Sequence, residues 1–224
     1  MTPSFAAVIF DLDGTLLDTE ASNTEASLAA MRAFGLPPDE AFLELMIGRD
    51  YETCEAMMAE RYPGIDLAAY GRVLTTELER VEAAGFPLKP DVREVLGDLQ
   101  AAGKPLALVT SSRRSRADLK LSRAGLTDFF SVTVTLDDVT AAKPDPAPYA
   151  LAAQQLGVAP DTCLVFEDSE TGVASALGAG MKVVQVPDML PAGGHAHVTA
   201  DTLWAGAHSV GLPVRAAAPC ESAV

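Results

Sequence analysis

The chain has 224 residues, 49% of them apolar and 21% charged, the make-up of an ordinary globular protein. A net charge of −15 disfavours polyanions, so nucleic acid and anionic membranes are excluded as partners. No run nears the ~18–20 apolar residues that span a bilayer, and the length suits one large domain, or a domain with a smaller insert. Small phosphorylated metabolites stay admissible, because a bound cation inverts the field inside one cleft.

The first apolar run, Ala6 to Phe10, has no basic residue before it and stops at Asp11. It predicts a buried strand and not a secretory leader. Asp11-Leu12-Asp13-Gly14-Thr15-Leu16 follows directly. Residues two apart in an extended segment point the same way, so Asp11 and Asp13 face one crevice. Gly14 permits the sharp turn behind them.

From Thr19 to Ala84 the pattern is helical throughout, over Thr24 to Phe34, Ala41 to Met46, Tyr51 to Arg61 and Tyr70 to Ala83. A four-helix insert in the first strand-to-helix connection is the economical reading. Gly85 to Pro90 reads as the return linker. Four more short, β-branched runs follow: Leu106 to Val109, Val132 to Val134, Cys163 to Phe166 and Val183 to Val186. Their continuous apolar character is that of strands buried on both faces of a parallel sheet. Helical patterns alternate with them at Asp91 to Ala102, Ser115 to Ala124 (with Leu119 and Leu121 as its apolar residues), Pro146 to Leu156 and Thr171 to Ala179. The expectation is a doubly wound, Rossmann-like α/β core over 1–18 and 85–213, a helical insert over 19–84, and a loose tail over 214–224.

In such sheets ligands bind at the carboxyl ends of the strands. Thr110-Ser111-Ser112 ends the second strand, where hydroxyls and backbone N–H groups can cradle phosphate. Arg113 and Arg114 come next. Lys143-Pro144 follows the third strand. Glu167-Asp168-Ser169 ends the fourth, with Ser169 placed to cap the next helix and Gly172 to let that helix approach closely. Four acidic groups at neighbouring strand ends repel one another, and oxygen ligands without histidine or thiolate suit Mg²⁺. Cys54, Cys163 and Cys220 read as free thiols of a reducing cytoplasm. His195-x-His197 reads as a Gly-rich loop with two exposed histidines.

The ordered set Asp11-x-Asp13-Gly-Thr, Thr110-Ser-Ser, Lys143-Pro and Glu167-Asp168-Ser resembles the four motifs of the haloacid-dehalogenase-like superfamily. The insert resembles that family's C1 cap, and Glu167 to Met181 is similar to its β-phosphoglucomutase and phosphoglycolate-phosphatase branch. The likeness runs from about residue 5 to 213. It implies a Mg²⁺-dependent phosphatase of a small phosphorylated metabolite. Asp11 would attack phosphorus and form an aspartyl-phosphate. Asp13 would protonate the leaving oxygen and then deprotonate water. Asp11, the Asp13 carbonyl and Asp168 would bind Mg²⁺, with Glu167 direct or behind them. Thr110 and Ser111 would hold phosphate oxygens, helped by Ser112, and Lys143 would neutralise Asp11 and the transferred group. Gly48-Arg49 resembles the substrate-facing loop of the cap, with Arg49 for a second anionic group. A phosphosugar mutase is the alternative. Thr19 matches its pattern, but Asn23 stands where that pattern has histidine, and an amide is no acid or base near neutral pH. A non-enzymatic phospho-acceptor lacks a carboxylate at the position of Asp13. The expected state is a cytoplasmic monomer or weak homodimer.

Overall fold

The computed structural model describes residues 5–46 and 51–215. Strand β1 (Ala7–Phe10) has no polar side chain and is buried at every position. It lies centrally, between β2 (Leu106–Val109) and β4 (Cys163–Glu167). With β3 (Val132–Val134), β5 (Lys182–Gln185) and β6 (Val198–Thr199) it forms a parallel sheet of order β3-β2-β1-β4-β5-β6. The chain order reverses between β1 and β4, the switch point at which open α/β sheets bind their ligands. The register pairs Phe10 with Phe166, whose rings stack at 5.2 Å. Asp11 therefore emerges beside Glu167, and its N–H donates to the Phe166 carbonyl at 3.0 Å.

Five strands are expected from the sequence, and the sixth, β6, is only Val198 and Thr199. Two residues carry no readable periodicity. The helices around the sheet are α5 (Val92–Ala101), α6 (Arg114–Ala124), α7 (Ala147–Leu156), α8 (Glu170–Gly178) and α9 (Leu203–Ser209). Tyr149, Ala152 and Ala153 of α7 and Val173 and Ala176 of α8 share one buried cluster with Ile9, Val109, Val134, Val165 and Val183 of the strands. The buried face of α6 is Ala117, Lys120, Leu121 and Ala124. Leu119 is only half-buried, which corrects the expected apolar pair. Residues two apart on a helix point to different sides.

The chain divides into two compact units, Met1–Leu17 with Leu88–Val224, and Asp18–Pro87. The second holds α1 (Thr19–Ala33), α2 (Glu40–Glu44), α3 (Tyr51–Arg61) and α4 (Leu67–Ala83) around Ala30, Met31, Met58 and Tyr70. Three of these helices start on an aspartate whose carboxylate accepts a backbone N–H: Asp18 from Ala21, Asp39 from Phe42 and Asp66 from Ala69. These caps start α1 and α4 several residues before the points where the apolar pattern begins. Of the expected tail, Arg215 is tied down. Its backbone N–H and its guanidinium both bond Asp98, and its carbonyl accepts from the Trp204 indole. No described helix is long and apolar enough to cross a membrane.

Candidate active site

Asp11 follows the last residue of β1 and is 7% exposed. The ammonium of Lys143 spends its three donors on Asp11 Oδ1 at 2.7 Å, Glu167 Oε1 at 2.6 Å and the Val109 carbonyl at 3.1 Å. It also sits 5.0 Å from the centre of the Tyr149 ring. The Lys143–Pro144 peptide bond is cis. Glu167, the last residue of β4, is fully buried and fully engaged. Oε1 also accepts from the Tyr149 hydroxyl at 2.7 Å, and Oε2 accepts from the N–H and hydroxyl of Ser169. Ser169 in turn caps α8 by accepting from the Gly172 N–H at 3.1 Å.

Two glycines make this packing possible. A Cβ on Gly172 would lie 1.8 Å from Glu167 Oε1, inside bonding range of a neighbouring carboxylate. Gly14 adopts φ +86°, and a Cβ there would meet Asp168 Oδ2 at 2.5 Å. Thr15 donates to Asp168 Oδ1 at 3.4 Å.

Asp11, Glu167 and Asp168 bring oxygen atoms within 4.8 Å of one another, the group among the described residues able to hold a metal ion. One ammonium does not balance three carboxylates. Burial pushes Asp11 well above the usual carboxylate range, against the pull of Lys143. Burial, and then Glu167 beside it, push Asp168 up to about 7. Burial alone would lower Lys143, but Asp11 and Glu167 reverse that and hold it firmly protonated. The site is short of positive charge, and its donors are all oxygen, so the residues present fit a hard divalent cation.

The residues at these strand ends line one cavity of about 160 Å³: Asp11, Asp13, Thr110, Ser111, Lys143, Asp168, Ser169 and Thr171. Ser112 is turned elsewhere. Its hydroxyl donates to Asp13 Oδ2 at 3.0 Å, and its N–H donates to the Thr110 hydroxyl at 3.0 Å. Arg113 and Arg114 pair with Asp137 and Asp138. Gly48 and Arg49 lie outside the described residues. His195 bonds Glu170, whereas His197 accepts the Val183 N–H, so the two histidines do not converge.

Two neighbours of the site are absent from the motif-based reading. Tyr149 reads in sequence as one more apolar residue of a helix face, yet its hydroxyl bonds Glu167. Lys120 donates to Asp13 Oδ1 at 2.5 Å. Its signal was a charge at a core position of the set 117, 120, 121, 124, which has helical spacing.

A Rossmann-like sheet with a carboxylate-rich pocket at its switch point is the arrangement of an α/β protein that binds its ligand at the strand ends. Residues 8–186 match the haloacid dehalogenase-like hydrolase family, and the chain belongs to that family. It is 33% identical over 192 residues to the fructose-1-phosphate phosphatase YqaB of Escherichia coli, covering 83% of this chain and 98% of that protein. It is 34% identical over 177 residues to the phosphorylated carbohydrates phosphatase of Thermotoga maritima, covering 79% and 82%. A solved structure from Thermotoga maritima, provisionally assigned as a beta-phosphoglucomutase, superposes with a TM-score of 0.78 at 32% identity, covering 87% of this chain and 93% of that one.

Proposed function

We propose that the protein hydrolyses a small phosphorylated metabolite of the sugar-phosphate class through an aspartyl-phosphate on Asp11. The observation that carries this reading is the cavity in which Asp11, Asp13, Thr110, Ser111, Lys143 and Asp168 face one space. Phosphoryl transfer asks for in-line positioning and compensation of charge on the equatorial oxygens, and these residues supply both. Lys143 fixes the Asp11 carboxylate and stays charged. An Asp11 oxygen bonds phosphorus while the ester P–O bond breaks, and Asp13 gives its proton to the departing alkoxide. Water then bonds phosphorus, Asp13 takes the water's proton, and Asp11 leaves as a carboxylate. Thr110 and Ser111 offer hydroxyls to the phosphoryl oxygens.

Asp11, Asp168 and the Asp13 backbone carbonyl would hold Mg²⁺, which when bound adds charge compensation at the transferred group. Glu167, held by four protein donors, orients Lys143 from behind. The curated relatives named above act, by name, on phosphorylated carbohydrates, which supports that substrate class. A phosphosugar mutase is the second reading, favoured by the Thermotoga maritima structural likeness and opposed by the amide of Asn23. A panel of sugar and polyol phosphates, assayed with Mg²⁺ for phosphate release and for isomer formation, tests both. We expect phosphate; an isomer formed without phosphate would reverse the choice.

A further inference from the structure

We infer that Lys120 is a positioning residue: with Ser112 it clamps the Asp13 carboxylate at the cavity wall in the orientation that takes a proton from the attacking water. The inference rests on the reading of Asp13 as the proton carrier. Its basis is a closed ring of three contacts. The Lys120 ammonium donates to Asp13 Oδ1 at 2.5 Å and to the Ser112 hydroxyl at 3.2 Å, and that hydroxyl donates to Asp13 Oδ2 at 3.0 Å. Each carboxylate oxygen is held by a different residue, so rotating the Asp13 side chain breaks both bonds at once. Both bonds are donated to the carboxylate, leaving its remaining lone pairs for a proton acceptor's work.

Lys120 is no solvated surface lysine. Its side chain is 11% exposed and occupies the buried face of α6 between Ala117, Leu121 and Ala124. An ammonium at a core position is costly unless its partner is close. Here the partner is Asp13, whose side chain is 32% exposed and lines the cavity. Lys143 serves Asp11 and Lys120 serves Asp13, so each aspartate of the first motif has its own ammonium.

In the second half of the reaction the water oxygen bonds phosphorus, the bond from phosphorus to Asp11 breaks, and the water's proton goes to Asp13. A misplaced Asp13 slows this step. It barely touches the first step with p-nitrophenyl phosphate, whose leaving group departs without a proton. Misplacement of a catalytic group costs on the order of 10- to 100-fold. For Lys120→Met we expect kcat on p-nitrophenyl phosphate to fall at least ~10-fold while kcat/KM stays within ~3-fold, estimated from the same effect. Phosphoenzyme should accumulate, seen as a burst of p-nitrophenol near one equivalent per site. Lys120→Arg should recover most of kcat, and Ser112→Ala should shift kcat the same way by less.

Asp13→Asn, run in parallel, separates the two ideas. A burst with Asp13→Asn but none with Lys120→Met overturns the clamp alone. Absence of a kcat loss with Asp13→Asn overturns the reading beneath it. Equal loss of kcat and kcat/KM in Lys120→Met, unrescued by arginine, marks a structural lysine and overturns the inference. Should Lys120→Met fail to fold, Ser112→Ala decides: an unchanged kcat overturns the clamp.

Discussion

Replacing Lys143 with methionine keeps the length of the side chain and removes the charge that Asp11 and Glu167 share. The Lys143 side chain is 5% exposed, and those of its partners are 9% and 0%. Breaking one partner out of a buried ion pair costs about 3–5 kcal/mol, because a charge is left uncompensated. Here two carboxylates lose their cation, but the carboxyls can take up protons, which holds the loss to the low end of about 3 kcal/mol. In a chain of this size that corresponds to a fall in Tm of roughly 6–12 °C. Phosphatase turnover should drop by about 10²–10³, the scale for losing one preorganised charge-stabilising donor. The assay is thermal unfolding by circular dichroism beside kcat on one substrate. Adding Glu167→Gln should recover much of the stability, since the second buried charge is then gone, and none of the activity. A Lys143→Met protein that melts within ~2 °C of the wild type would refute the argument that these carboxylates depend on the ammonium.

Gly172→Ala must push Glu167 aside, because the added Cβ falls 1.8 Å from its Oε1. Overpacking of this kind costs about 1–3 kcal/mol and should also lower kcat by disturbing Lys143; an alanine variant with unchanged Tm and kcat would contradict that. EDTA should abolish turnover and Mg²⁺ restore it, whereas recovery with Zn²⁺ and never with Mg²⁺ would contradict the oxygen-ligand argument. The metal-free protein should also be more stable near pH 5 than near pH 8, by the linkage of proton uptake to folding. Asp168 titrates at about 7 when folded against 3.8 as a free carboxyl, so the folded state binds the extra proton. That contribution is fully present at low pH and is lost as pH rises through about 7. A urea midpoint that is flat or rising over this range without metal would be the contrary result.

The candidate site residues that sit just past a strand could be placed from sequence because a buried strand followed by a short polar turn puts them at one sheet edge. Asp11, Asp13, Thr110, Ser111 and Asp168 are of this kind, and they come together around one cavity with Lys143, which lies nine residues beyond β3 and was legible from its motif. What the sequence concealed lies one element further out. Lys120 is brought to Asp13 from the buried face of α6, and a lysine inside a helix reads as a surface residue until the helix face is known. Tyr149 looks like core packing, and only the approach of α7 to the end of β4 turns its hydroxyl to Glu167. Ser112 sits in the phosphate-cradling turn by sequence, yet its hydroxyl donates to Asp13 and accepts from the α6 lysine, a partner on another element that the turn's sequence does not reveal. The starts of α1 and α4 were misplaced because aspartate caps, and not apolar periodicity, begin them.

The proposed reaction turns on covalent phosphorylation of Asp11. Rapid acid quench of the wild-type protein during turnover of a labelled sugar phosphate, followed by peptide mapping, tests it most directly. Label should appear on the peptide carrying Asp11, formed and discharged at rates that accommodate kcat, and a folded Asp11→Asn variant should show neither label nor turnover. Full turnover with no label at Asp11, or an Asp11→Asn protein within tenfold of wild-type activity, would contradict it.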